Sequence, residues 1–159
     1  MTSERLLLDV MLGKLVTYLR MCGYDVVAAH ELGLEADEEI RELARGEGRT
    51  LLTRDEELAG RTAGAILLES REIADQLAEL SAAGFRLTLP EQPQRCSVCN
   101  GRVQAIDTSE HPEHAPDDEK EVWQCLDCRQ HFWKGSHWDQ VSETLTAARE
   151  SGDEDGEAG

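Results

Sequence analysis

The sequence predicts an α/β fold with a mainly parallel sheet and helices on both faces, followed by a small cysteine-containing unit. Short apolar runs alternate with amphipathic stretches in the first part of the chain, which is the pattern of β-α-β units. These runs are continuously apolar, as is typical of strands in a sheet covered on both faces. After Pro90 the pattern changes, and two C-x-x-C pairs and most of the aromatic residues lie close together. We therefore expect two differently built units.

Local signals predict each element in turn. The strands are predicted at residues 5–10, 24–29, 49–53 and 65–69. The helices are predicted within residues 11–23, 36–48, 55–64 and 70–84. Gly23 is a natural stop for the first helix. Asp37 is expected to be the N-cap of the second, because aspartate accepts hydrogen bonds from the free N–H groups of a first turn.

These elements divide the chain into four parts. The α/β domain covers residues 1–89, and residues 90–94, with two prolines and no periodicity, form a linker. The cysteine unit covers residues 95–141. The last part, 142–159, is rich in acids and glycine and is predicted to be a disordered tail.

The chain is strongly acidic, because 33 acids oppose 16 bases and give a net charge of −17. An acidic surface that favours arginine over lysine fits a protein working at high salt, where a Debye length of ~3 Å at 1 M screens self-repulsion. An ordinary acidic protein is the alternative. The N-terminus lacks a signal-peptide pattern, and no apolar run is long enough to span a membrane. We expect a cytoplasmic protein, in which paired cysteines hold metal more often than they form disulfides.

Three aspartates are candidates for one acidic site. Asp9 and Asp55 each follow an apolar strand, and Asp37 opens the helix between the second and third strands. If the strand order is 2-1-3-4, all three lie at the same edge of the sheet, where functional groups gather in open α/β folds. Converging carboxylates remain ionised only around a cation, and oxygen ligands suit Mg²⁺ or Mn²⁺.

Each residue of this site also has a purely structural interpretation. Asp37 and Asp55 could simply cap the helices that follow them. Asp9 is harder to explain in this way, because an unpaired charge directly after three leucines would be costly. Among the nearby bases, Lys14 and Arg20 could bind phosphate or pair with acids. Arg54 has the same two interpretations.

The two C-x-x-C pairs predict a structural zinc site. Four thiolates, from Cys96, Cys99, Cys125 and Cys128, complete a tetrahedral Zn²⁺ site and leave no position open for catalysis. The pairs are separated by slightly more than the roughly 15–20 residues common in such sites. The acidic segment 110–121 accounts for the excess as a loop between strands. A redox dithiol or two disulfides are the alternatives, and the expected compartment argues against both.

The segment FWKGSHW, residues 132–138, combines two tryptophans with a base and a histidine. Such a cluster could stack on bases and hold a phosphate. It could instead be the apolar seam that joins the cysteine unit to the α/β domain. We expect Trp133 and Trp138 to belong to the seam, and Lys134 and His137 are candidate substrate contacts.

Together these segments resemble the Mut-seven C-terminal RNase family, which has a PIN-like nuclease domain followed by a zinc ribbon. The match runs in order from about residue 6 to residue 140, and its most specific part is KGSHW after the second cysteine pair. The segments that carry the resemblance are LLLDVMLGKLVTYLRMCGYD, LLTRDEEL, RCSVCNG and CLDCRQHFWKGSHW. The resemblance implies a PIN-type fold and divalent-metal-dependent cleavage of RNA.

By position, Asp9, Asp37 and Asp55 match acids of the family. Lys14 and Arg20 fall in its Gly-Lys-Leu and Leu-Arg-Met segments. The resemblance thus implies that the three acids hold Mg²⁺ or Mn²⁺ and that the bases orient the phosphate.

PIN nucleases commonly gather a fourth acid, for which Glu38 and Glu57 are the candidates here. Cys22 departs from the larger aliphatic residue expected at its position, and we expect this to change core packing only. We predict a metal-dependent endoribonuclease with a structural zinc ribbon. The alternative is a non-catalytic module that binds RNA or protein on the same scaffold.

Overall fold

The computed structural model describes residues 5–9, 12–106 and 121–158, with side chains described as far as Ser151. Strands and helices alternate in the first part of the chain, as the sequence predicts. The strands are β1 (Arg5–Leu8), β2 (Asp25–Ala28), β3 (Thr50–Thr53) and β4 (Ile66–Leu67). The helices are α1 (Gly13–Met21), α2 (Asp37–Glu47), α3 (Glu56–Arg61) and α4 (Ile73–Ala82). A short 3-10 helix, Ala29–Leu32, follows β2 and was not predicted.

The four strands form one parallel sheet in the order β2-β1-β3-β4, which confirms the predicted order. Leu8 of β1 pairs with Leu52 of β3, and the backbone N–H of Asp9 donates to the Leu52 carbonyl at 3.1 Å. The carboxyl ends of β1 and β3 are therefore neighbours. β2 lies on one side of β1, whereas β3 and then β4 lie on the other side. The strand order therefore reverses between β1 and β3, and such a switch point is where ligands bind in open α/β folds.

Two separate apolar cores cover the sheet. Successive strand side chains point to opposite faces, so Leu6 and Leu8 pack on the face with α1 and α4, while Leu7 packs on the face with α2 and α3. All three leucines are completely buried. Helices on both faces explain why the strands read as continuous apolar runs.

Beyond the linker, three strands form an antiparallel sheet in the order β5-β6-β7. They are β5 (Val103–Ala105), β6 (Trp123–Cys125) and β7 (His131–Phe132). One cysteine pair precedes β5 and the other joins β6 to β7, which agrees with the predicted zinc ribbon. The predicted loop at 110–121 lies outside the described residues except for Glu121.

The C-terminal segment differs from the predicted disordered tail. Helix α5 covers Ser136–Ala158, and its residues Val141, Leu145 and Ala148 are buried in the core that contains α1 and α4. These three residues recur at intervals of four and three, so one helical face is apolar although the segment as a whole is acidic. None of the helices in the described part of the chain, α5 included, is both long and apolar enough to span a membrane.

Candidate functional site

Asp9 and Asp55 meet through one threonine at the carboxyl ends of β1 and β3. The Thr53 hydroxyl donates to Asp9 Oδ2 at 2.7 Å, and its oxygen accepts the Asp55 backbone N–H at 3.0 Å. Thr53 is completely buried, and buried hydroxyls in folded proteins are almost always hydrogen-bonded. Thr53 therefore holds the Asp9 carboxylate beside the backbone of Asp55. The sequence analysis did not single out Thr53, although it stands in the TRD segment.

Asp55 also caps α3, as the structural interpretation expected. Its Oδ1 accepts the Leu58 N–H at 3.1 Å. This bond uses one carboxylate oxygen, so capping alone does not require the second. Capping and a role at the acidic edge are therefore compatible.

Asp37 is not the N-cap of α2, which corrects the sequence prediction. The N-cap is Ala36, which makes no side-chain hydrogen bond, and Asp37 is the first helical residue. A carboxylate in the first turn is favoured by the helix dipole, but Asp37 stands one position beyond the cap. The capping role that would explain Asp37 without a ligand is thus absent. Because α2 follows β2, Asp37 starts at the same edge of the sheet as Asp9 and Asp55.

The three aspartates do not form a tight cluster in this structure. Among the described residues, the four ribbon cysteines are the group of three or more metal-ligating side chains whose ligand atoms all lie within 4.8 Å of one another. The joint metal site of Asp9, Asp37 and Asp55 therefore stays a prediction. Glu38 and Glu57, the candidate fourth acids, form exposed ion pairs with Arg41 and Arg61 at 3.0 and 3.3 Å.

Two bases lie near the acidic edge. Lys14 is the second residue of α1 and is exposed. Arg54 stands between Thr53 and Asp55, and its Nε atom is buried without a hydrogen-bond partner in the described part of the chain. That nitrogen has no accessible surface, but the residue as a whole is partly exposed. The outer N–H groups of its guanidinium are therefore the candidates for donation to an acceptor from outside the chain, such as a phosphate oxygen.

Arg20 is committed to the protein itself, so we withdraw it from the candidate substrate contacts. Its side chain is 2% exposed. Nε and Nη2 donate to the Val26 carbonyl at 3.0 and 2.9 Å, and Nη2 also donates to Glu31 Oε2 at 3.0 Å. Nη1 donates to the carbonyls of Ser97 and Val98, both at 3.2 Å. A guanidinium has five N–H donors, and these bonds occupy all of them.

The ribbon cysteines have the geometry of a tetrahedral metal site. The Sγ atoms of Cys96 and Cys128 are 3.6 Å apart, and those of Cys99 and Cys125 are 3.5 Å apart. Zinc–sulfur bonds of about 2.3 Å in a tetrahedron give sulfur–sulfur distances of about 3.8 Å. Disulfide sulfurs would be about 2.05 Å apart, and all four thiols are free. The four cysteines could therefore hold a zinc ion.

The two cysteine turns repeat the same local structure. In the first, the N–H groups of Val98 and Cys99 donate to Cys96 Sγ at 3.3 and 3.4 Å. In the second, Asp127 and Cys128 donate in the same way to Cys125 Sγ, both at 3.4 Å.

The residue after each turn has a positive φ, 73° at Asn100 and 69° at Arg129. Gly101 follows the first turn, and a Cβ there would lie 2.9 Å from Cys125 Sγ and collide with the Asp127 carboxylate. The glycine of RCSVCNG is therefore required by the close approach of the two turns.

Hydrogen bonding prepares one thiol for metal binding. Burial opposes ionisation of Cys125, but N–H donation from Cys128 and Asp127 and contacts with neighbouring thiols lower its pKa to about 7. Burial raises the pKa of Cys96 to about 12. Burial likewise raises the pKa of Cys22, outside the ribbon, to about 12, as expected for a core residue.

A polar network fixes the ribbon to the amino end of β2. The Asn100 side chain accepts the Val26 N–H at 2.9 Å and donates to Asp25 Oδ1 at 2.8 Å. Arg49 donates to the same Asp25 oxygen at 3.0 Å. Burial alone would raise the pKa of Asp25, but the bonds from Asn100 and Arg49 hold it below its ordinary value. Asn100 thus satisfies a backbone N–H on an edge strand of the sheet, a role that sequence analysis missed.

Lys134 and His137 belong to the ribbon end of the molecule and not to the acidic edge. Lys134 lies over the rings of Trp123 and Trp138, at 6.0 and 5.6 Å from their centroids. The ribbon docks at the amino end of β2, whereas Asp9 follows the carboxyl end of β1. Lys134 and His137 therefore lie towards the opposite end of the sheet from the acids, and their role as substrate contacts stays a prediction.

Comparison with family models matches residues 4–145 to the family described as Mut7-C RNAse domain. Neither the curated proteins nor the solved structures include a match. The family match spans the parallel sheet, the cysteine ribbon and the first part of α5, including Val141 and Leu145. This chain therefore belongs to the Mut7-C RNAse domain family.

Proposed function

We propose that this protein is a metal-dependent endoribonuclease whose reaction takes place at the carboxyl ends of β1 and β3. Membership of an RNase domain family suggests a nuclease-like function. The observation that supports this location is the contact of Asp9 and Asp55 through the buried Thr53. Two acids at a switch point of a parallel sheet are suited to hold a divalent cation.

In this proposal Asp9, Asp37 and Asp55 hold Mg²⁺ or Mn²⁺ through carboxylate oxygens. The bound ion would supply an activated water and stabilise charge on the phosphate during cleavage. The hydrogen bond from Thr53 keeps the Asp9 carboxylate oriented, so this side chain needs to move less when the metal ion binds. Arg54, which is partly exposed, donates from its guanidinium to a phosphate oxygen, as a charge-assisted hydrogen bond.

Lys14 is suited to a second phosphate contact, because it is exposed at the start of α1. The backbone N–H of Leu12, just before this helix, donates to the Asp9 carbonyl at 3.2 Å, so the helix begins next to the acid. Free N–H groups in the first turn of a helix also favour an anion.

Charge-removing variants that keep their hydrogen bonds test this proposal. Asparagine caps helices as well as aspartate, so Asp55→Asn preserves the start of α3. Asp9→Asn likewise keeps an oxygen that can accept from Thr53. We expect each variant to lose at least about 100-fold in the rate of Mn²⁺-dependent cleavage of single-stranded RNA, the scale of losing a charged group that stabilises a transition state. The matched control is Glu143→Gln, an exposed acid on α5.

Equal cleavage by all four proteins would identify a contaminating nuclease and refute the proposal. Binding of RNA without any Mn²⁺-dependent cleavage by the wild type would instead favour the non-catalytic module. Thr53→Val provides a further check, because it removes the hydroxyl without changing charge. We expect it to lower cleavage while zinc content remains unchanged.

A further inference from the structure

A second concave surface lies between the ribbon, the linker and the ends of α1 and α5. We call it the aromatic groove, and its volume is about 390 Å³. The lining residues that matter for its chemistry include Met21, Arg95, Trp133, Gly135, His137 and Trp138. The proposed reaction does not account for this groove.

Among the residues that the structure describes, those that line the groove include no acid, although the chain has 33 acids in 159 residues. Arg95 and two histidines line it, and Lys134 stands beside it. Arg95 donates to the Asn100 carbonyl at 3.0 Å and lies 3.9 Å from Asp25, so its position is fixed. A described lining with basic but no acidic side chains, in a chain of net charge −17, suits a negatively charged partner.

The aromatic rings in the groove are held in place but remain partly accessible. Trp133 and Trp138 are half-buried. A Cβ at Gly135 would lie 3.0 Å from Trp133 Nε1, so the glycine allows the ring to lie against the backbone. Lys134 lies 5.6 Å from the Trp138 ring centroid, which places a cation next to an aromatic face. Aromatic faces with nearby cations are how proteins bind unpaired bases together with their phosphates.

Helix α1 connects this groove to the acidic edge. Lys14, Tyr18 and Met21 are spaced by four and three residues and so share one side of the helix. Lys14 lies at the end near Asp9, and Met21 lines the groove. The eight steps of 1.5 Å from Gly13 to Met21 amount to about 12 Å. At about 3.4 Å per stacked nucleotide, this length corresponds to about three to four nucleotides.

We propose that the aromatic groove binds unpaired bases of single-stranded RNA, about three to four nucleotides away from the cleaved phosphate. The proposal rests on the proposed nuclease function for the position of the cut. The groove would select unpaired RNA, because bases inside a duplex cannot stack on protein side chains. Binding would also depend on stacking more than on net charge. This is suitable for a protein whose many acids repel the phosphates of RNA.

Binding is tested without cleavage, using the full-length, zinc-loaded protein that carries both Asp9→Asn and Asp55→Asn. The probe is an unstructured, fluorescein-labelled RNA of ten nucleotides, and fluorescence anisotropy reports its affinity. Adding Trp138→Leu should weaken binding about tenfold or more, the scale of losing one base–aromatic stack. The control is Leu126→Ala, which truncates an exposed apolar residue of the ribbon outside the groove. The same RNA in a fully paired duplex should bind much more weakly.

Equal affinity with and without Trp138, or equal affinity for the single strand and the duplex, would overturn the proposal. Zinc content and melting temperature must match between variants, so that loss of binding is not loss of folding. If Trp138→Leu fails this check, His137→Ala, an exposed substitution in the same groove, replaces it and should weaken binding by at least about threefold. Unchanged affinity in His137→Ala would then overturn the proposal.

A cleavage assay with Trp138→Leu in the otherwise wild-type protein distinguishes RNA binding by the groove from the cleavage reaction. Trp138→Leu should raise KM for a ten-nucleotide RNA at similar kcat and leave kcat/KM for a trinucleotide unchanged. If the effect of Trp138→Leu on cleavage did not depend on RNA length, the proposed RNA binding by the groove would be refuted, and the proposed nuclease function would be unaffected. If RNA binding depended on Trp138 but no cleavage was observed, the proposed nuclease function would be refuted, and the groove would still be an RNA-binding site.

Discussion

Replacing Arg20 by methionine should destabilise the whole protein, because this side chain joins the ribbon to the α/β domain. Arg20 lies on α1 and donates to Val26 of β2 and to Ser97 and Val98 of the first cysteine turn. Methionine fills much of the same volume but donates no hydrogen bond. The carbonyls of Val26, Ser97 and Val98 would then lose a charged partner in a buried setting.

The size of the effect follows from these bonds. Each hydrogen bond to a charged group contributes about 1.5–3 kcal/mol, but the bonds share one side chain and do not add. Removing one partner of a buried charged network typically costs about 3–5 kcal/mol. Glu31, the acidic partner of Arg20, is 40% exposed in its side chain, so water can solvate it and the lower half of this range applies. In a chain of this length, about 3–4 kcal/mol lowers the melting temperature by ~6–16 °C.

Thermal unfolding of the zinc-loaded protein, followed by circular dichroism, measures this change. Arg20→Lys keeps the charge but has three donors on one nitrogen, so it should recover only part of the loss. Arg41→Ala is the control, because its ion pair with Glu38 is partly exposed and should contribute less than about 1 kcal/mol. Zinc transfer to a chelator should also be faster in Arg20→Met, since the first cysteine turn loses its support.

The reasoning would be refuted if Arg20→Met melted within about 1 °C of wild type, a shift that corresponds to less than 0.5 kcal/mol. It would also be refuted if Arg41→Ala were equally destabilising. Either result would mean that the buried hydrogen bonds of Arg20 contribute no more to stability than the hydration of the same groups in the unfolded chain.

Three further predictions concern α5, the ribbon and the core cysteine. Leu145→Ala should lower the free energy of unfolding by about 2–5 kcal/mol, because Leu145 is fully buried against α1 and α4. The control Glu143→Gln should leave the free energy of unfolding unchanged. An unchanged stability in Leu145→Ala would show that α5 does not pack against α1 and α4. Gly101→Ala should lower zinc affinity measured by competition with a chelator, because the added methyl group collides with the second cysteine turn; the exposed Gly60→Ala should leave it unchanged. Alkylation at pH 8 should modify the four ribbon cysteines once zinc is removed, because loss of the metal unfolds the ribbon and exposes Cys96. Cys22 should stay protected until denaturant is added, because it lies in the core with α1 and α4, where burial raises the pKa of its thiol to about 12 and keeps it protonated; rapid modification of Cys22 in native protein would contradict this.

The acidic edge shows how far local sequence can lead. Apolar runs ending in aspartate predict strands with acids at their carboxyl ends, and the strand order brings two of these ends together. The sequence does not reveal which side chain connects them. Thr53 reads as an ordinary strand residue, and its role depends on the orientation of a hydroxyl between two loops.

Arg20 and α5 show the opposite case. The sequence places Arg20 near the end of the first predicted helix, where phosphate binding is a reasonable expectation. Two of its actual partners, Ser97 and Val98, lie 77 and 78 residues away along the chain. The acidic composition of residues 142–159 likewise predicts disorder, whereas three apolar residues on one face are enough to dock the first part of α5.

Apolar periodicity and the spacing of metal ligands are local properties, so the alternating strands and helices, the parallel sheet and the four-cysteine ribbon could be predicted from the sequence. The folded chain was needed to show that Arg20 joins the two units, that Asp37 does not cap its helix, and that the aromatic segment faces a groove at the ribbon end of the molecule. These features depend on hydrogen-bond partners and charges from other parts of the chain, whose positions are set by packing.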